Sequence, residues 1–268
     1  MTTTVSVAFA KASVIKALKE LGIEFLLDLE LRDPQYAQVL RLSEAYSREP
    51  VALICVLGAL TAYRLSGKGE DYWREVANHF LSFRAGPGPD EVVSSFAAYL
   101  GSSKLCRLAL KQKLARLAKL ASAGLHKRLY SDYDSYVRDL RRLWLDISRS
   151  VRSPRGSKTV VFAVKMFCYA VRASTGTVPY VPADIPLPVD ARVMRVSRAL
   201  GVAAGGPESV RRTWQEIAMA SGVPPLHVDV LLWMLGSLDR YEPLLAEVAR
   251  LHKKGRVLSE VVAQLRQR

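Results

Sequence analysis

VRSPRGSKTVVFAVKMFCYAVR, residues 151–172, is the most apolar helical stretch of the chain, and it carries two lysines, Lys158 and Lys165. A helix apolar on nearly every face is normally buried, and a buried lysine is costly unless it is paired or neutral. Lys158, Phe162 and Lys165 stand four and three residues apart, so they share one stripe of the helix. Lys158 also falls in the first turn, behind Arg152, Ser153, Pro154, Arg155, Gly156 and Ser157. The helix dipole disfavours a cation there by about 0.3–1 kcal/mol. Dipole, neighbouring cations and burial together push a lysine toward its neutral, nucleophilic amine. The ordinary alternative is a lysine that snorkels to water from the end of a core helix.

Working outward, the segment Val178–Asp190 contains Pro179, Pro182, Pro186 and Pro188. Proline fixes φ and removes a backbone donor, so this segment reads as a rigid extended loop. Asp190 ends it just before Ala191-Arg192-Val193-Met194-Arg195-Val196, at the N-cap of the next helix. A lone aspartate there is ordinarily a cap. On a stiff proline arm it is also where a catalytic acid or base would be fixed. An amine and a carboxylate, each at a helix start, form a pair suited to imine chemistry at a sugar C1′.

Further motifs join these two. They are Arg32-Asp33-Pro34-Gln35-Tyr36, then Tyr63-Arg64-Leu65-Ser66-Gly67-Lys68-Gly69-Glu70 followed by Trp73, and Lys158-Thr159-Val160-Val161-Phe162 with Lys165. Asp184-Ile185-Pro186-Leu187-Pro188-Val189-Asp190 and Pro224-Pro225-Leu226-His227-Val228-Asp229 complete the set. In this order, over residues 12–236, the chain resembles the archaeal 8-oxoguanine DNA glycosylases (archaeal GO glycosylases, AGOG), divergent members of the helix-hairpin-helix DNA glycosylase superfamily. The resemblance implies a bifunctional DNA glycosylase and abasic-site lyase for base excision repair, with Lys158 as nucleophile and Asp190 as catalytic carboxylate. It implies a pocket for a flipped base in which Phe162 and Trp233 stack on the two faces. Gln35, Trp73, Lys165 and Asp229 would bond the edge of the base. The implied partner is DNA containing 8-oxoguanine, as duplex or as single strand, and no cofactor is implied.

The residues themselves support part of this. Asp229 and Trp233 are four apart on a helix opening at Pro224-Pro225, so they face one way. Asp229 stands among Val228, Val230, Leu231 and Leu232, where a carboxylate needs a partner. Trp73 and Trp233, taken alone, read as core residues, and Gln35 as a solvated turn residue. One departure is notable. Hairpins of the wider superfamily run Leu-Pro-Gly-Val-Gly, whereas this chain has Ser153-Pro154-Arg155-Gly156-Ser157. Amides of Gly156, Ser157 and Lys158, helped by Arg155, are expected to grip the DNA backbone at this non-standard hairpin.

The fold expected is all-α, two helical lobes with a cleft, in one glycosylase unit of 268 residues. The lobes are expected over residues 51–151 and 152–240, the N-terminal helix returning to the second and residues 241–268 adding a helical extension. Helices are expected at 12–30, 50–65, 70–84, 89–100, 103–123, 133–150, 157–173, 190–203, 207–221, 225–240, 242–253 and 257–267. Breaks are expected at Gly67/Gly69, Gly86-Pro87-Gly88-Pro89, Ser153–Gly156, the proline arm, Gly205-Gly206-Pro207 and Gly222.

Net charge is +14, from 39 Lys and Arg against 25 Asp and Glu, which suits a polyanionic partner. Between Lys104 and Arg128, the cations Arg107, Lys111, Lys113, Arg116, Lys119 and Lys127 interleave with leucines and no acid. Such a helix can track a DNA backbone, lie on an anionic membrane, or simply show a basic outer face. Cys55, Cys106 and Cys168 lack metal-ligand spacing, so buried thiols are expected and an iron–sulfur cluster is not. His79, His126, His227 and His252 show no metal pairing either. No apolar run is long enough to span a bilayer and the start lacks a secretory pattern, so a cytoplasmic monomer without a membrane partner is the expectation. A glycosylase for another damaged base, or a helical DNA-binding protein without catalysis, are the rival readings.

Overall fold

Helix follows helix along what the computed structural model describes, residues 2–82 and 87–266. In chain order these are α1 (Thr2–Leu31), α2 (Pro34–Ala45), α3 (Arg48–Thr61), α4 (Gly69–Leu81), α5 (Pro89–Ser102), α6 (Leu110–Ser122), α7 (Leu125–Ser131), α8 (Tyr133–Arg138), α9 (Leu140–Val151) and α10 (Lys158–Thr175). Then come α11 (Ala191–Ala199), α12 (Pro207–Ser221), α13 (Pro225–Leu235), α14 (Leu238–Leu251) and α15 (Gly255–Arg266). A 3-10 turn spans Lys104–Cys106, and no strand occurs among the described residues. The all-α expectation holds. The expected helix ends at 84 and 267, and the break at Gly86, lie outside the described residues.

Three local readings are corrected. The sequence reading places no helix over 34–45, yet these residues form α2. Pro34 sits at the first helical position, where its missing N–H costs nothing, and Tyr36, Val39 and Leu42 then fall on one buried face. The helix expected over 133–150 is divided at Asp139, whose carboxylate accepts the amides of Arg141 (3.0 Å) and Arg142 (3.1 Å) and so starts α9 afresh. The helix expected over 103–123 starts late. Ala109 is left-handed at φ 58°, which separates the 3-10 turn from α6.

The chain forms two compact units. One is residues 34–180. Here α10 packs most extensively on α3, in which every residue from Pro50 to Thr61 is buried. Helices α2 and α9 cover further faces of α10, so its all-round apolar surface finds a neighbour on several sides. This unit ends at Tyr180. Gly176, at φ 72°, ends α10 with its amide on the Arg172 carbonyl.

The other unit is residues 1–33 with 181–268. Helix α1 bends at Gly22 (φ 75°, ψ 171°) and packs on α12, α13, α14 and α15. The N-terminal helix thus packs with the later part of the chain. The stretch after Tyr241 is part of this core, since Leu245 and Val248 are fully buried, each worth about 1.5–3 kcal/mol.

Candidate active site

The turn between α9 and α10 is a hairpin held from inside. Arg152 adopts the left-handed conformation (φ 52°, ψ 51°), and Ser153 N–H reaches back to the Ser148 carbonyl at 3.1 Å. Ser148 Oγ donates to the Ser153 carbonyl (2.6 Å), and Trp144 Nε1 donates to the Arg155 carbonyl (2.8 Å). The Arg155 guanidinium lies over the Trp144 ring, 5.3 Å from its centroid. The amide of Ser157, expected to face a phosphate, instead donates to the Pro154 carbonyl at 2.9 Å. Its hydroxyl, by contrast, is buried and has no hydrogen-bond partner among the described residues.

Lys158 is the first residue of α10 and is exposed, which corrects the expectation of burial. The reason is positional. Side chains on a helix lean toward its N-terminus, so the first one leans past the end of the helix rather than onto the core. Burial begins one residue later, at Thr159. Arg116 of α6 braces this first turn, donating to Thr159 Oγ1 (2.7 Å) and to the Leu60 carbonyl (3.0 Å). Its guanidinium also sits 5.0 Å from the centroid of the Tyr63 ring.

Along the same helix, Phe162 is half-buried and Lys165 is only 2% exposed. The Lys165 ammonium lies 5.3 Å from the Tyr169 ring centroid, and Tyr169 meets Tyr36 edge-to-face at 5.4 Å. Gln35, next to Tyr36 on α2, is buried, not the solvated turn residue its motif suggests. Trp73 is 1% exposed and meets Phe162 edge-on, with centroids 6.2 Å apart at 77°. Its ring also presses on Gly58 of α3. Five expected residues thus lie in residues 34–180, with Trp73 in contact with Phe162 and the two lysines flanking Phe162 on α10.

The other three lie in the second unit. Asp190 is an N-cap as expected, its Oδ1 accepting the amides of Arg192 (2.8 Å) and Val193 (3.0 Å). The arm before it is seated by burial of Ile185, Pro186, Leu187 and Pro188, and by a hydrogen bond from Gln215 Nε2 to the Ala183 carbonyl. Asp229 is 6% exposed in α13. Trp233, one turn on, is half-buried beneath the Arg192 guanidinium at 4.5 Å and beside the Tyr241 ring at 5.1 Å.

Sequence reasoning missed Arg116, Arg192 and the buried pair His227–Glu30, joined at 2.8 Å between Nδ1 and Oε1. Arg192 carried a legible signal, a cation in a first turn where the dipole disfavours it. The basic stretch 104–128 is also less outward than expected. Lys113 is fully buried, donating to the Cys106 carbonyl at 3.2 Å, and burial lowers its pKa below the usual lysine range. Lys104, Arg107, Lys111, Lys119 and Lys127 are exposed. All three cysteines are buried free thiols, and burial raises the pKa of Cys55. No cluster of His, Cys, Asp or Glu able to hold a metal, and no single helix long and apolar enough to cross a membrane, occurs among the described residues.

A family model described as AGOG, N-glycosylase/DNA lyase, matches residues 15–264. An N-glycosylase/DNA lyase of Methanopyrus kandleri is 38% identical over 236 residues, covering 88% of this chain and 90% of that one. One from Pyrobaculum aerophilum is 33% identical over 235 residues, covering 85% and 86%. The crystal structure of the Pyrobaculum aerophilum 8-oxoguanine DNA glycosylase complexed with 8-oxoguanosine superposes with a TM-score of 0.76 at 29% identity over 97% of each chain. With a family match over nearly the whole chain and relatives of this coverage, the chain belongs to the AGOG family of N-glycosylase/DNA lyases.

Proposed function

We propose that this enzyme excises 8-oxoguanine from DNA through an imine on Lys158 and then cuts the strand by β-elimination. The observation that carries this reading is an exposed lysine opening a helix that is otherwise apolar and firmly packed. The residue is exposed, while the first turn of its helix is fixed by the hairpin and by the Arg116 brace. The neutral amine attacks C1′ and the bond from C1′ to the base nitrogen breaks, the base leaving with the electron pair and taking up a proton. Opening of the sugar ring gives the iminium. Loss of a C2′ proton then expels the 3′ phosphate, and water releases the enzyme.

Asp190 caps α11 and, on this proposal, is also the catalytic carboxylate. It orients or deprotonates the amine and steadies positive charge developing on the sugar. Oxidation turns N7 of guanine from acceptor to donor and adds a carbonyl at C8. Buried polar groups such as Gln35, Lys165 and Asp229 are the kind of donors and acceptors that read such an edge, and a site built from them rejects a base lacking the matching hydrogen. Phe162 and Trp233, both half-buried, are the proposed stacking rings, and Trp73 supports Phe162 edge-on. At the hairpin, exposed Arg155 is the group offered to a DNA phosphate. Extruding the base costs a few kcal/mol, offset by these contacts.

Borohydride trapping on an oligonucleotide with one 8-oxoguanine tests the proposal, wild type beside Lys158→Gln. A lesion-dependent covalent band in wild type, absent from the variant, is the expected result. Base release by Lys158→Gln at the normal rate would remove the nucleophile. A band only with some other damaged base would reassign the substrate, and binding with no band on any substrate would leave a DNA-binding protein.

A further inference from the structure

Arg192 is poorly placed for stability. It is the second residue of α11, just after its N-cap, where the helix dipole disfavours a cation. Its guanidinium makes no hydrogen bond and no ion pair among the described residues. Arg195, one turn later, donates to the Gly236 carbonyl at 3.1 Å. What Arg192 does have is the Trp233 ring, 4.5 Å from its guanidinium carbon to the centroid.

The main chain there cannot retreat. A Cβ placed on Gly236 would meet the Arg192 Cβ at 2.7 Å and its Cα at 3.3 Å, so α11 and α13 touch at that point. The Arg192 amide is also tied to Asp190 Oδ1. Only the side chain beyond Cβ is able to swing. One residue therefore joins the capping carboxylate to the ring read as a stacking surface, and carries five unspent donors.

We propose that Arg192 is a guard for the base-stacking face of Trp233. It lies on the ring while the pocket is empty and yields that face to the extruded base. It then turns its freed guanidinium to a phosphate oxygen of the same nucleotide. A planar fork that stacks on an aromatic ring and also matches phosphate suits both positions. The inference rests on the reading of Trp233 as a base platform.

The test compares binding of free 8-oxoguanosine, which has no phosphate, with binding of a duplex bearing 8-oxoguanine. Both are measured by calorimetry in the Lys158→Gln background, which prevents turnover. Adding Arg192→Gln removes the competitor for the ring, so nucleoside affinity rises about threefold. Duplex affinity falls roughly tenfold as a charge-assisted bond is lost, and the slope of affinity against salt decreases by about one. Arg192→Lys, which keeps the charge without the planar stack, retains most of the salt slope and still binds nucleoside more tightly.

Weaker nucleoside binding in both variants would show that Arg192 only props Trp233, and would overturn the guard. Unchanged affinities for both ligands would overturn it equally. Should Arg192→Gln fail to fold, Arg192→Lys decides by the nucleoside arm alone. Failure of the base reading shows elsewhere. The background protein with Arg192 intact then binds neither nucleoside nor lesion duplex above undamaged DNA, and the guard falls with it.

Discussion

Gly58→Ala asks whether Trp73 is held by α3. Alanine inside a helix is worth about 1 kcal/mol over glycine, so on propensity alone the change stabilises. The space argues the reverse. A Cβ at position 58 would stand 2.7 Å from Cη2 and 2.8 Å from Cζ3 of Trp73. Carbon atoms prefer about 3.5–4.0 Å, so the indole must retreat by about 1 Å. Its retreat is obstructed, because Trp73 is 1% exposed with Phe162 and Tyr72 in edge contact at 6.2 and 5.7 Å. Tyr72 is tied down as well, its hydroxyl donating to the Gly58 carbonyl at 2.8 Å. Overpacking of this kind costs about 1–3 kcal/mol, so the net change is destabilising by about 0–2 kcal/mol. The functional consequence should be larger, because the displaced indole pushes Phe162. Denaturant unfolding gives the stability, and single-turnover excision of 8-oxoguanine gives the consequence, with a rate drop of about tenfold expected for a sub-ångström misplacement. A variant that gains the full 1 kcal/mol of helix propensity and excises at the wild-type rate would refute the argument.

Asp190→Asn keeps the cap, so its melting temperature should stay within about a degree while strand cleavage collapses. Asp190→Ala loses both and unfolds about 1 kcal/mol more easily, which paired melting and cleavage assays will separate. Lys113→Met should stabilise the fold by up to about 1 kcal/mol, since an apolar chain of similar length replaces a buried amine. The folded pKa of Lys113 is below its unfolded value of 10.5, so the unfolded chain holds the extra proton in that window. Wild-type stability therefore gains a rising contribution as pH approaches 10.5, absent from the Met variant, and unfolding curves across alkaline pH check it. The same variant should leave the salt dependence of DNA binding unchanged, whereas replacing exposed Lys111 and Lys119 together should lower the slope by about two. Trp144→Phe deletes the hydrogen bond to the Arg155 carbonyl, costing about 1 kcal/mol, and should slow borohydride trapping while nucleoside binding holds.

What could be read from the sequence follows the range of the forces involved. The start of α10 at Lys158 and the cap at Asp190 are set by residues within a few positions, and both stand where the local pattern puts them. The exposure of Lys158 was misjudged because a composition window averages over a helix whose first residue projects beyond its end. Helix α2 was hidden by Pro34, a residue that breaks helices everywhere except where it stands. Arg116 was invisible for another reason. Its partners Leu60 and Thr159 are 56 and 43 residues away, and no local pattern encodes them. The burial of Trp73 agrees with its reading as a core residue, whereas that of Gln35 depends on the packing of α2 against α10 and α4, which lie far away in sequence.

The hairpin shows how a departure from the superfamily pattern is accommodated. With one glycine in Ser153–Ser157, the left-handed turn falls on Arg152, where a non-glycine residue costs about 1–2 kcal/mol. Three hydrogen bonds converge on that turn: Ser153 N–H to the Ser148 carbonyl, Ser148 Oγ to the Ser153 carbonyl, and Trp144 Nε1 to the Arg155 carbonyl. Each contributes about 0.5–1.5 kcal/mol, so together they offset the strain and leave the turn stiff. Stiffness is what the position of Lys158 requires. An exposed lysine on a loose loop would hold its amine in no fixed place. On a rigid hairpin, with Arg116 fastening the next residue and eleven of the twelve that follow buried, the same exposed amine starts from a defined point. On the proposed mechanism, the lysine would owe its reactivity less to burial than to standing where a well-packed apolar helix meets water.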